Sequence, residues 1–206
     1  MSPPPAAIPR PAVAVSVLLL AIQSIAPLQA LEEKQADKDS VQACERKLCG
    51  MVLKKPAKGE DLSCTLNKTW GRDSIKGGAQ SSAVSWKFGD ARCTLPLKVK
   101  RESIVAALTK PEYAFEPGEH TVECHVEQGN GMEVVHITLA PKIAFKQGQA
   151  KTVWLNVRKV SGPASIKAMV WTVAGLEDNM GLFHRPMIKE INKFVHQKCA
   201  EKYSGK

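Results

Sequence analysis

Aromatic residues make up only 5% of this 206-residue chain. Proteins that hold single-stranded nucleic acid stack bases on aromatic rings, so that class of partner is disfavoured despite a formal charge of +9. Nowhere does the sequence contain Cys-x-x-Cys, His-Glu-x-x-His, Gly-x-Ser-x-Gly or a phosphate-binding Walker loop. Those absences remove the usual signatures of zinc knuckles, zinc proteases, serine hydrolases and P-loop enzymes. No cofactor is implied. Long apolar runs are also missing. The best, Ala12 to Ala26, has 15 residues, whereas a bilayer span needs ~20.

That run has the outline of an export signal. Arg10, the only charged side chain in residues 1–30, precedes it, and small residues follow. Cleavage after Ala30 is expected, leaving a domain of 176 residues at 31–206 with a charge of +8. A chain of that length buries a substantial core. All six cysteines, Cys44, Cys49, Cys64, Cys93, Cys124 and Cys199, lie beyond the signal. An even count in an exported chain reads as three disulfides, leaving no thiol nucleophile.

Val41, Cys44, Leu48 and Val52 recur at helical spacing and predict a helix ending near Lys54. Ile188, Ile191, Val195 and Cys199 predict a C-terminal helix with Pro186 in its first turn. Between them the period is mostly two. Leu62, Cys64 and Leu66 share one face of a strand. Residues 83–101 read as strand, Gly-Asp turn and strand, with Cys93, Leu95, Leu97 and Val99 on one face. Pro96 in that second strand suits an edge or a bulge. Residues 71–82, rich in Gly and Ser, read as a loop, and 164–175 as a last strand. The expected fold is α+β: an antiparallel meandering sheet flanked by N-terminal and C-terminal amphipathic helices, stabilised by disulfides. Three cysteines fall on helices and three on strands, so at least one bridge must tie a helix to the sheet. The preferred set is Cys44–Cys199, Cys49–Cys64 and Cys93–Cys124.

The stretch 120–139, "HTVECHVEQGNGMEVVHITL", is expected to be a hairpin. Asn130-Gly131 is the strongest short turn signal. A two-residue turn there sets His125 opposite His136, with Cys124 facing inward. The polar face then carries His125, His136, Glu123 and Glu127, a set with zinc-compatible donors. A solvated polar face is the commoner use of such residues.

Arg92, Lys98 and Lys100, with Arg101 adjacent, form a basic stripe along the outward face of the Cys93 strand. Such a stripe suits an anionic envelope component or an acidic protein face. It also suits an edge strand that resists aggregation. Taken together, the sequence predicts a periplasmic or extracellular, non-catalytic binding or accessory protein. The alternative it leaves is a metal-binding protein or metal-dependent hydrolase built on the His/Glu cluster.

Overall fold

A computed structural model describes residues 35–56, 58–80, 85–180 and 184–204. The expected signal and its cleavage point lie outside the described residues. The chain is α+β, with helices packed around two antiparallel sheets. Helix α1 (Gln35–Lys54) leads into strand β1 (Leu62–Trp70). Helix α2 (Arg72–Gln80), strand β2 (Ala91–Val99) and helix α3 (Arg101–Thr109) follow. Next come β3 (Glu112–Phe115), β4 (His120–Gln128), β5 (Gly131–Leu139), β6 (Lys142–Lys146), β7 (Gln149–Trp154) and β8 (Val157–Ser161). Helices α4 (Ala164–Met180) and α5 (His184–Lys193), a π-helical turn at Phe194–Lys198, and α6 (Cys199–Tyr203) complete the order.

The strands do not form one meander. Five make a sheet in the order β1-β2-β4-β5-β8, and β3-β6-β7 make a second. On the larger sheet, the face bearing Leu62, Cys64, Val99, Cys124, Val126 and Val135 is buried. One end of it packs on α1 and α3 through Met51 and Ile104. The other end packs on Ile166 of α4, with Trp86, Phe88 and Ile75 alongside.

Helix α1 seals the exposed edge of β1. The Ser40 hydroxyl accepts from the Asn67 backbone N–H at 3.1 Å, and Lys47 donates to the Ser63 carbonyl at 3.1 Å. An open strand edge is a template for mispairing, and these two side chains stand in for a missing strand. Helix α5 does the same for β7. Asn192 accepts from the Ala150 N–H at 2.8 Å and donates to the Ala150 carbonyl at 3.0 Å.

Two segments differ from the sequence expectation. Residues 164–175 form a helix, not a strand. Ile166, Val170 and Ala174 recur every four residues and face inward, a pattern that short apolar runs share with strands. Gly162-Pro163 marks a helix start: the Pro163 carbonyl accepts from the Lys167 N–H. Residues 72–80 are helical in spite of Gly77 and Gly78. Buried Asp90 accepts from the Arg72 N–H at 2.7 Å at the helix start, and Ile75 packs into the core, so tertiary contacts override weak propensity. Of the strand expected before Gly89-Asp90, residues 85–88 are irregular.

All six cysteines are bridged, as Cys44–Cys64, Cys49–Cys199 and Cys93–Cys124. The expected classes hold: one bridge between helices, one from helix to sheet, one within the sheet. Two partners are exchanged. Cys44 sits on the side of α1 that packs on β1, in the cluster with Leu62 and Cys64, while Cys49 packs beside Cys199 and Tyr203. Among the described residues, no helix is long and apolar enough to cross a membrane.

Candidate functional site

The start of α1 reaches one end of the second face of the large sheet, where Asp37 meets Thr69 and Arg92. Among the described residues, the apolar clusters of the large sheet all lie on the other face. Successive residues alternate across a strand, so burying Leu62, Cys93 and Cys124 turns Ser63, Arg92 and His125 outward. Strand pairing aligns these outward residues in rows. One row runs Thr69, Arg92, His125, Val134. The next runs Asn67, Thr94, Glu123, His136, Ser161. The face is bonded internally: Thr94 donates to Asn67 at 2.9 Å, and Thr121 and Thr138 lie 3.1 Å apart.

His125 and His136 share this face, as the alternation requires, but they are not opposite each other. Gly129-Asn130 forms the turn, with Gln128 paired to Gly131. Gly129 has φ +60° and Asn130 does not enter the positive-φ region, the type II′ pattern with Gly at the first central position. The expected Asn130-Gly131 turn would have placed Asn130 in that region. Relative to it, the register moves by two residues. A two-residue shift preserves which side chains face inward, so the apolar pattern could not distinguish the two registers. Its effect on the polar face is large. Glu123 replaces His125 as the partner opposite His136.

Glu123 therefore bridges both imidazoles. Its Oε1 lies 3.0 Å from His125 Nε2 and its Oε2 3.2 Å from His136 Nε2. All three side chains are about half exposed. Hydrogen bonds from His125 and then His136 lower the Glu123 carboxyl pKa below its ordinary value. Glu127, the fourth member of the expected set, is elsewhere. Its carboxylate accepts from the Asp90 backbone N–H at 3.1 Å. Among the described residues, no group of three or more His, Cys, Asp and Glu side chains is disposed to hold a metal ion.

The basic stripe divides. Arg92 reaches Asp37 of α1, Nη2 to Oδ1 2.7 Å, and the Asp37 side chain is fully buried. Thr69 donates to the other oxygen at 2.7 Å. Lys100 and Arg101 belong to the β2–α3 corner. Lys100 bonds Asp61 at 2.8 Å, and Arg101 donates through its backbone to Asp61 and through Nε to the Glu60 carbonyl. Lys98 stays on the open face without an ion pair among the described residues. Lys159 of β8 joins it there, aligned with Thr138; sequence alone did not single it out, because its strand pairing was not predicted.

His120 lies off this face and satisfies backbone. Its Nε2 accepts from the Lys98 N–H at 3.3 Å, and its Nδ1 lies 3.1 Å from the Gly118 carbonyl. β2 pairs β4 only from Ala91 to Thr94. His120 caps the stretch where that pairing has stopped, and Pro96, which has no N–H, is tolerated there for the same reason.

No protein-family model matches the sequence, and neither a curated protein nor a solved structure resembles it.

Proposed function

We propose that this is an exported, non-catalytic binding protein that meets an extended anionic partner with the polar face of its large sheet. The observation that supports this reading is a broad polar face held in fixed geometry by hydrogen bonds and, beyond the Thr69–Arg92 end that meets α1, carrying no apolar cluster among the described residues. Arg92 is positioned there by a buried carboxylate, beside His125. Arg92 and Lys98 are six residues apart on one strand, ~20 Å at ~3.3 Å per residue. A small anion cannot touch both, whereas an acidic polymer or the acidic face of a protein can. Three disulfides and the signal-like N-terminus support a periplasmic or extracellular setting, with 31–206 acting as one domain.

Binding of poly-L-glutamate provides the test. Reversing Lys98 and Lys159 to Glu together is expected to weaken it about tenfold, given ~0.2–1 kcal/mol for each exposed pair lost and a comparable repulsion gained. Raising salt should weaken the wild type in parallel. Binding indifferent to both changes would leave the face as a solubilising surface. The metal-dependent alternative rests on the His125–Glu123–His136 contacts alone. Stoichiometric zinc that displaced Glu123 from both imidazoles would favour it.

A further inference from the structure

Three apolar clusters surround α1, α3 and the C-terminal helices, and Leu48, Leu108 and Phe115 each belong to two of them. The clusters meet without closing. Between them lies a cleft of about 380 Å3, walled by α1, α3, the small sheet and the α5–π-turn segment. Eleven of its twelve lining residues are apolar, and the twelfth is Glu190.

Water fills such a space poorly. A buried water needs two to four polar partners, and these walls supply almost none. The volume sits at the small end of the ~300–1,000 Å3 range of ligand pockets, too little for a two-chain lipid. Glu190 is exposed on α5, so it marks the mouth. Among the described residues no hydrogen bond or ion pair engages its carboxylate. Lys189 and Lys193 flank it in sequence and do not bond it. Lys198, whose Nζ lies 5.6 Å from the Phe194 ring centre, is committed to Glu45 at 2.6 Å. The cleft thus presents a hydrocarbon wall with one carboxylate at its lip that no described side chain bonds.

We propose that this cleft binds a single aliphatic chain bearing an ammonium head, with the chain against Leu48, Leu108, Phe115 and Ile191 and the ammonium at Glu190. The site is separate from the open sheet face and stands or falls independently of it. A carboxylate head would meet Glu190 as a like charge, which is the discriminating feature.

Calorimetric titration of the oxidised protein with decylammonium, decanol and decanoate tests this. Decylammonium should bind about threefold to fivefold more tightly than decanol, the scale of one exposed ion pair, and decanoate more weakly than either. Glu190→Gln should erase the preference for the ammonium while leaving decanol binding intact. Methyl shifts of Ile143 and Ile191 in the wild type should report where the chain sits, without any variant in the walls. Leu108→Trp should abolish binding of all three; should it fail to fold, Ile191→Trp at the rim serves the same purpose. No binding by any of the three ligands, shifts confined to other methyls, tightest binding of decanoate, or an ammonium preference that survives Glu190→Gln would each overturn the proposal.

Discussion

Arg92 and Glu123 sit one row apart on the same face, and each is set by the charges it touches. Asp37 is buried and spends its oxygens on Thr69 and Arg92. Removing one partner of such a pair leaves an uncompensated buried charge, at ~3–5 kcal/mol. Arg92→Ala is therefore expected to cost about 3 kcal/mol in urea unfolding, toward the low end because the guanidinium is partly solvated. Adding Asp37→Asn should restore part of the loss. An Arg92→Ala cost below ~0.5 kcal/mol would show the pair to be incidental. Glu123 yields a pH prediction. Its folded pKa is lowered by the two imidazole hydrogen bonds. A group depressed in the folded state contributes stability above its unfolded pKa and loses it as pH falls through the folded one. The Glu123 carboxyl carbon should therefore titrate below 4.5, its ordinary value, in an NMR titration, and above that lowered value in His125→Ala/His136→Ala. A wild-type midpoint at or above 4.5 would contradict the bridge. Sequence made the side of each residue legible, since the inward setting of Cys124 fixes the outward setting of His125. It did not make the contacts legible. "QGNG" contains two turn dipeptides, both registers keep the apolar face, and only the turn geometry chooses Glu123 as the partner of His136.

Helices here act as much on strand edges as on strand faces. Asn192 holds both backbone groups of Ala150, so Asn192→Ala should leave them without partners. The expected cost is ~1–3 kcal/mol, with faster amide exchange confined to β7; unchanged exchange at Ala150 would refute the edge-sealing role. The disulfides join the same elements. Sequence separations are 150, 31 and 20 residues for Cys49–Cys199, Cys93–Cys124 and Cys44–Cys64. Constraint of the unfolded chain grows with loop length, from ~3 kcal/mol for short loops to above ~4.5 for the longest. Paired Cys→Ala replacements should therefore rank in that order of destabilisation by thermal unfolding, and a reversed order would argue against the loop-closure account. Helical α1 and the C-terminal helix were legible from their four-residue spacing. Helices α2 and α4 were not. Gly77 and Gly78 read as loop until Asp90 at the helix start and the packing of Ile75 are known, and the apolar run from Ile166 fits period two nearly as well as period four.

At the scale of the molecule, the two surfaces proposed for binding differ in kind, one polar and broad, one apolar and narrow. The C-terminal helices are drawn to α1 by Cys49–Cys199 and by Glu45, which accepts from Lys198, Lys202 and the Tyr203 hydroxyl. Partial burial raises the Glu45 pKa, but those three hydrogen bonds outweigh it and leave the carboxyl below its ordinary value. The clamp therefore persists through neutral and mildly acid conditions and weakens only as pH falls below the carboxylate range. It holds one wall of the cleft while leaving the far face of the large sheet untouched. The central claim, that this polar face is the binding surface, is tested most directly by mapping backbone amide shifts during titration with poly-L-glutamate at low salt. Shifts are expected to concentrate on Arg92, Thr94, Lys98, His125, His136 and Lys159, and to fade together as salt is raised. Shifts concentrated instead at the β2–α3 corner, around Lys100 and Arg101, or spread evenly over the molecule, would contradict it.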